Sequence, residues 1–600
     1  MQEILIQNLN KRIKMDPHKN LMTQLMEHQI FIDHPCNGKG TCRKCRVRIV
    51  KGDVTTLTET EKQHLSSGEL AEGIRLACLI YPLTEMTVET LQKEAACQVL
   101  TQGALPEFEY HPSIEKKKIQ LQRPSLENQT SMEESLLKAA KAQSVDWELL
   151  HPMPPYQKML TTVCRYGHCY QLEEGDTADQ LYGIAVDIGT TTIAASLVNI
   201  RTGAELGVTS MINPQHCYGS DVLTRITYQI ENPETAVQAM QKTLVGKLEE
   251  AMIDLCQTLQ INPAHVYEMT VAANTTMLHT LLGISAESIG ISPYAPAFIT
   301  SKDLKAAAIG FQKMPAMNIY CLPSVSAYIG ADIVAGVFSC QLQQRKETRL
   351  LIDIGTNGEM VLSHEGKLSA CSCAAGPALE GMNISNGMRA AKGAIEDIEI
   401  DRSEIKLKVI ENAEPVGLCG SGILAATKEL LRSGMVKKNG AFIKKTELEE
   451  DHPLYQRLHI NGKKREFLIA EGNQPIYITQ SDIRQVQLAK GALLSGFYAL
   501  LDQAGITIDQ LDEIIVAGQF GAHLSADHLV ETGILPRETK EKISYAGNTS
   551  KTGAYMALMA VDARKTMENL AQEIQYKELS THPDYEKLFR DSLEFPKLED

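Results

Sequence analysis

No apolar run in this 600-residue chain approaches the roughly 18 residues needed to span a bilayer, so no membrane segment is predicted. The start, MQEILIQNLNKRIK, lacks an apolar stretch of about 7 to 15 residues followed by a small-residue cleavage site, so no secretory signal is predicted and a cytoplasmic location is expected. An excess of cationic charge is also missing. The net charge is −15, which argues against nonspecific nucleic-acid binding, because that binding depends on cations displacing counterions from phosphates. Small molecules or proteins are the expected partners. Fourteen cysteines without an export signal read as reduced thiols plus metal ligands rather than as a disulfide framework. What is present is ordinary for a water-soluble chain, 43% apolar and 22% charged, and its length predicts several domains.

Texture divides the chain. Residues 1–95 alternate short β-like runs (3–6, 45–50, 86–88) with one helical stretch near 20–28, which predicts a small α+β domain. Residues 96–129 carry Pro106, Pro112, Pro124 and the run Lys116-Lys117-Lys118, and read as a linker. Residues 130–180 read as a small middle domain that opens on a helix at Ser131, with Glu133 and Glu134 in its first turn. From 181 to 600, glycine-punctuated apolar strands alternate with helices, the pattern of an α/β body.

Four cysteines are grouped. HPCNGKGTCRKC places Cys36, Cys42 and Cys45 as C-x5-C-x2-C, and Cys78 follows after 32 intervening residues in RLACLIYP. Three ligands on one loop and a fourth from afar is the plant-type 2Fe–2S arrangement, with one extra residue in the first gap. Gly38 and Gly40 suit a loop that must wrap a cluster and bring backbone N–H groups near sulfur. Four thiolates also suit tetrahedral zinc, but zinc sites usually pair two short C-x2–4-C units, so iron–sulfur is the favoured reading. Cys97, Cys164, Cys169, Cys217, Cys371, Cys373 and Cys419 read as incidental thiols. Arg43, Lys44, Arg46, Arg48 and Lys51 make the cluster's surroundings basic, which predicts steering of an acidic partner.

A second pattern is repeated. Apolar 183–186 leads into Asp187-Ile188-Gly189-Thr190-Thr191-Thr192 and a returning apolar run; 166 residues on, apolar 350–352 leads into Asp353-Ile354-Gly355-Thr356-Asn357-Gly358-Glu359 and another. Glycine lets backbone N–H groups approach phosphate oxygens, Thr and Asn donate further hydrogen bonds, and the carboxylate can hold Mg²⁺ or its waters. Two such turns can clamp one triphosphate, and the duplication is hard to explain otherwise.

The pair resembles the two phosphate motifs of the actin-like ATPase superfamily, which includes sugar kinases and 70-kDa heat-shock chaperones. Ala517-Gly518-Gln519-Phe520-Gly521 resembles its adenosine motif. With the N-terminal ferredoxin pattern, the whole chain resembles the reductive activators of corrinoid proteins. The stretches carrying that likeness are NPQHCYGSDVLTRI from Asn213, ANTTMLHTLLG from Ala273, SVSAYIGADIVAG from Ser324, CAAGPALEGMNISNGMRA from Cys373, GLCGSGIL from Gly417 and ITQSDIRQVQLAKGA from Ile478. Some members of the wider family carry a C-terminal 4Fe–4S cluster, but KLFRDSLEFPKLED has no cysteine, which places this chain with the N-terminal-cluster type.

The resemblance implies a multidomain α/β fold: a β-grasp 2Fe–2S ferredoxin-like domain, a small α+β middle domain and a two-lobed actin-like ATPase. It implies an ATP-dependent iron–sulfur activase that uses one 2Fe–2S cluster, ATP and Mg²⁺ to reduce an inactive Co(II) corrinoid to Co(I) in a methyltransferase system. Partners would be the corrinoid protein and a low-potential electron donor, and a homodimer stays open. Asp187, Gly189, Thr190, Thr191, Asp353, Gly355, Thr356 and Asn357 would face the phosphates and Mg²⁺. Gly420, Ser421, Gly518 and Gly521 would border the adenosine. Glu359 and Ser372 are the catalytic candidates, and the small-residue stretch around Ser372, Gly376, Pro377 and Glu380 is a candidate corrinoid surface. Two rivals remain at this level: a redox-sensing regulatory ATPase whose cluster gates partner binding, and a small-molecule kinase with an appended ferredoxin domain.

Overall fold

The computed structural model describes residues 2–28, 30, 32, 38, 40, 43–91, 103, 105–344, 346–402, 404–461, 464–472, 474–518 and 524–597. Cys36, Cys42, Cys97 and Gly521 lie outside the described residues.

The N-terminal domain is a five-stranded sheet in the order Lys11–Lys14, Glu3–Ile6, Met86–Thr90, Arg46–Lys51, Ile74–Leu76. Helix Leu21–Glu27 starts where Asn20 accepts a hydrogen bond from the Thr23 N–H, and it buries Leu21 and Leu25 against Ile4, Ile6 and Val88. This is the expected β-grasp.

The next sheet corrects the domain boundary. Ile114–Gln120 is a strand, paired along its length with Met159–Arg165 in a four-stranded sheet completed by His168–Glu174 and Ser144–Val145. The Lys116-Lys117-Lys118 run therefore belongs to a folded domain and not to a linker. Lys118 is exposed near the end of the strand, and Lys116 is buried with its Nζ on Glu173 at 2.6 Å and on the Tyr267 hydroxyl at 2.8 Å. Helix Met132–Ala140, capped by Ser131, covers this sheet.

The body holds two sheets of the same design. In the first lobe, Tyr182–Ile188 pairs antiparallel with Thr192–Asn199, which pairs antiparallel with Glu205–Ile212; on its other side lie the parallel strands Val266–Ala273 and Asn318–Cys321. In the second, Arg349–Ile354, Gly358–His364 and Lys367–Cys373 form the meander, with Glu513–Ala517 and Ile543–Gly547 as the parallel strands. The duplication seen in the sequence is thus a duplication of topology. Every residue of Val266–Ala273 is buried, as a central parallel strand requires. Two helices, Ala331–Ser339 and Thr549–Met559, pack against each other between the lobes. Gly553 makes that approach possible, because a Cβ there would lie 2.4 Å from the Cβ of Ala335. Among the described residues no helix is long and apolar enough to cross a membrane.

Candidate functional site

Cys45 ends the cysteine-bearing loop just before strand Arg46–Lys51, and Cys78 follows strand Ile74–Leu76. The Ala77 N–H donates to the Cys45 carbonyl at 2.8 Å, and the two sulfurs stand 3.3 Å apart, both buried. That separation is well beyond a disulfide bond of about 2.05 Å, and it lets both thiolates reach one metal ion at about 2.3 Å. The donor set fits a cluster. Gly38 and Gly40 both have positive φ, +79° and +74°. Beneath Cys78, the fully buried Glu61 accepts from Arg75 at 2.8 and 2.9 Å and from the Leu76 N–H at 3.2 Å.

The basic run around the cluster is largely spent. Arg46 pairs with Glu69 at 2.9 Å, Arg48 with Glu72 and Glu89, and Lys44 donates to the Gly387 carbonyl of the second lobe at 2.6 Å. Among the described residues the ion pairs offset the charges of Arg46 and Arg48, so the expected steering charge is smaller than the whole run.

The two aspartate turns meet. Thr191 Oγ1 and Thr356 Oγ1 are 3.2 Å apart, and both donate to Glu380, at 2.7 and 2.6 Å. The first turn is braced by the sequence stretches singled out above. Asn213 donates to the Gly189 carbonyl at 2.8 Å, the buried Arg225 to the Thr190 carbonyl at 2.6 Å, and Asn274 to Thr190 Oγ1 at 2.9 Å. Asp187 accepts from Asn548 and Ser550 at 2.9 and 2.8 Å. In the second turn the Gly355 N–H closes on the Asn357 carbonyl at 2.9 Å, and Gly518 lies so near that a Cβ would sit 2.3 Å from Asp353 Oδ1.

Sheet register places Asp353, Glu359 and Ser372 side by side on one face, since Asp353 pairs with Glu359 and Glu359 with Ser372. Burial and the charge of Asp187 push the Asp353 carboxyl up to about 7. Asp332, at the start of helix Ala331–Ser339, is raised to about 7 by burial and by Asp353 and Asp187. Glu359 is driven well above the usual range by burial and by Asp332 and Asp353, although Asn357 hydrogen-bonds it. Among the described residues no ion pair neutralises these four carboxylates, and no group of three or more His, Cys, Asp or Glu could hold a metal by itself. A buried acidic pocket of this kind suits Mg²⁺ that keeps several waters and brings its own phosphate ligands.

Gly420 and Ser421 open helix Gly420–Arg432, which packs on the turn Pro377–Glu380. Glu380, in the stretch the sequence offers as a corrinoid surface, has its carboxylate between the two turns. Asp332, Asn548 and Ser550 were missed. Asp332 stands inside SVSAYIGADIVAG but reads locally as a helix-start acid, and Asn548 and Ser550 reach Asp187 from 361 and 363 residues away with no local signal.

Comparison with known proteins agrees along the whole chain. A model of the C-terminal domain of RACo, an ASKHA domain, matches residues 347–600; the RACo middle region matches 182–345; and a 2Fe-2S iron-sulfur cluster binding domain matches 4–83. The corrinoid activation enzyme RamQ of Eubacterium limosum is 29% identical over 566 residues, covering 92% of each chain. A Co(II) methylated amine-specific corrinoid protein reductase of Methanosarcina barkeri is 25% identical over 403 residues, covering 62% of this chain and 68% of its own. The solved structure of a reductive activator for corrinoid,iron-sulfur protein superposes with a TM-score of 0.75 at 29% identity, covering 99% of this chain and 98% of its own. An iron–sulfur domain, an ASKHA body with paired aspartate turns and these end-to-end likenesses agree: the chain belongs to the RACo family of reductive activators of corrinoid proteins.

Proposed function

We propose that the chain is an ATP-dependent corrinoid reductase that passes one electron from a 2Fe–2S cluster to a partner corrinoid protein, taking inactive Co(II) to Co(I). The observation that carries this reading is the meeting of the two turns at Thr191 and Thr356, in a chain whose N-terminal domain gathers Cys45 and Cys78 at 3.3 Å. Cys36, Cys42, Cys45 and Cys78 hold the cluster, which supplies one-electron carriage when bound. The backbone at Gly189 and Gly355, where no Cβ stands in the way, and the hydroxyls of Thr190, Thr191 and Thr356 border the triphosphate; Asp187, Asp353 and Asp332 hold Mg²⁺ through its waters. Gly518, with Gly420, Ser421 and Gly521, leaves room for the adenosine.

Energetics explain the need for ATP. A plant-type cluster lies near about −400 mV, and each further 100 mV of reducing power costs about 2.3 kcal/mol per electron. Lobe movement on nucleotide binding and hydrolysis offsets that cost by changing the docked partner's cobalt environment. The helices Ala331–Ser339 and Thr549–Met559, which join the lobes, are the hinge of that movement. A low-potential donor supplies the electron. The test is Co(I) absorption in an added Co(II) corrinoid protein, with donor and Mg-ATP. Wild type accumulates Co(I); Asp187→Ala keeps a reducible cluster but accumulates none. Equal rate and extent in Asp187→Ala removes ATP as the driver and favours a redox-sensing ATPase.

A further inference from the structure

We propose that Glu380 is a latch between the two lobes that competes with the terminal phosphate of ATP for the hydroxyls of Thr191 and Thr356. The inference rests on the nucleotide site proposed above and adds a residue and a selectivity to it.

The argument begins with proton counting. Thr191 Oγ1 donates to Glu380 Oε2 at 2.7 Å, and Thr356 Oγ1 donates to Oε1 of the same carboxylate at 2.6 Å. Each hydroxyl carries one proton, so neither can donate to a phosphate while it donates to Glu380. Thr191 belongs to the first lobe, whereas Thr356 and Glu380 belong to the second, so the Thr191 bond ties the lobes together. The carboxylate also lies 4.0 Å from where a Cβ on Gly355 would stand, in the open space beside the second turn that a phosphate would enter. Two anions cannot share that space in a pocket that already holds Asp187, Asp332, Asp353 and Glu359. ADP lacks the γ-phosphate and leaves the latch closed; ATP takes over both hydroxyls and releases the carboxylate.

Release has somewhere to go. Glu380 ends the short turn Pro377–Glu380, and the chain then runs through Ser385, which is held by Asp482, to Gly387, whose carbonyl accepts from Lys44 one residue before Cys45. The segment that carries Glu380 thus runs into the contact that seats the cluster domain, which senses the release of the latch.

The experiment is calorimetric titration of the full chain with Mg²⁺ and either ADP or a non-hydrolysable ATP analogue. Removing a charged hydrogen-bonding competitor predicts that Glu380→Gln and Glu380→Ala bind the analogue about tenfold tighter than wild type, with ADP affinity shifted by less than about threefold. Retained cluster absorption and ADP binding show that the variants are folded. In wild type, amide exchange across 376–387 rises with the analogue and not with ADP, a readout that needs no variant. Unchanged or weaker analogue binding in both variants overturns the latch, as does unchanged exchange in wild type. Lost hydrolysis with unaltered affinities also overturns it and makes Glu380 a water- or metal-positioning residue. If wild type itself binds neither nucleotide, the parent reading falls too; if wild type binds and the variants match it, only the latch falls.

Discussion

The two N-terminal domains are fastened to the ATPase body in opposite ways. The small middle domain is joined through buried charge. Glu268, in the central strand of the first lobe, accepts from Ser113 and Arg165 of the small domain and from Arg564 of helix Val561–Glu573, each at 2.6 Å. Arg165 reaches on to Asp303, and Lys116 bridges to Glu173 and Tyr267. Among the described residues, the cluster domain meets the second lobe through a side chain on a carbonyl, Lys44 on Gly387. Charges withdrawn from water must stay paired, so the first junction cannot open without a large penalty, whereas a lysine leaving a carbonyl is rehydrated at once. One domain is tied to its lobe by buried charge; the other, among the described residues, by a half-buried lysine on a carbonyl.

The sharpest way to break this contrast is to remove the shared anion. Glu268→Ala strands Arg165 and Arg564 in a buried site, and a loss of about 3–5 kcal/mol is expected, which lowers the body's melting temperature and abolishes nucleotide binding. Burial pulls the Glu268 carboxyl up, but the two guanidiniums outweigh it and hold the group below its ordinary range, as a paired anion requires. A variant that melts like wild type would show that the junction is not a weld.

The converse substitution acts on the other domain. Cys45→Ser should leave the iron content near zero and disorder the cysteine loop, because serine is a poor ligand for this iron, yet Mg-ATP should bind with wild-type affinity. Loss of nucleotide binding in Cys45→Ser would mean the cluster domain is as integral as the small one. Cys164→Ser, in the small domain, should spare the iron.

Acid offers a graded version. Burial raises the Glu61 carboxyl, but hydrogen bonds from Arg75 and from the backbone of Thr58 and Leu76 outweigh this and set it below the usual range. A lowered acid stabilises the fold above its unfolded value and loses that contribution as pH falls through the folded one. Glu61 fixes the strand that delivers Cys78, so bleaching of the cluster below about pH 4 is expected. Glu61→Gln should bleach at higher pH than wild type, and identical acid profiles would remove Glu61 from the support of the cluster.

Much of this architecture was legible in residue order, because its signals are local. The two aspartate turns announced themselves through flanking apolar runs, and those runs are the hairpins Tyr182–Asn199 and Arg349–His364. Ser131 marked the start of its helix by capping chemistry. What stayed hidden depends on distant partners. Three consecutive lysines look like a solvated tether until Glu173, 57 residues on, buries the first of them. Glu380 among small residues looked like a surface for a flat ligand, since nothing nearby in the chain says that its partners are 24 and 189 residues away. Asp332 looked like a helix-start acid because its neighbours in the pocket, Asp187 and Asp353, come from other strands.

The smallest effect is also the most discriminating. Lys44→Met removes a hydrogen bond between a lysine and a backbone carbonyl at a partly exposed junction, worth about 1 kcal/mol, and it leaves every cluster ligand in place. Neither the body's melting temperature nor the iron content should change. What should change is the population of cluster domains seated on the second lobe, since about 1 kcal/mol shifts a seated-to-free ratio roughly fivefold. Small-angle scattering of the nucleotide-free protein should then give a larger radius of gyration for Lys44→Met than for wild type, and the two should converge once an ATP analogue opens the latch at Glu380. Lys44→Arg, which can still donate to Gly387, should stay close to wild type. Equal radii for wild type and Lys44→Met without nucleotide would mean that contacts other than Lys44 hold the cluster domain, and the contrast between a welded and a releasable domain would then have to be redrawn.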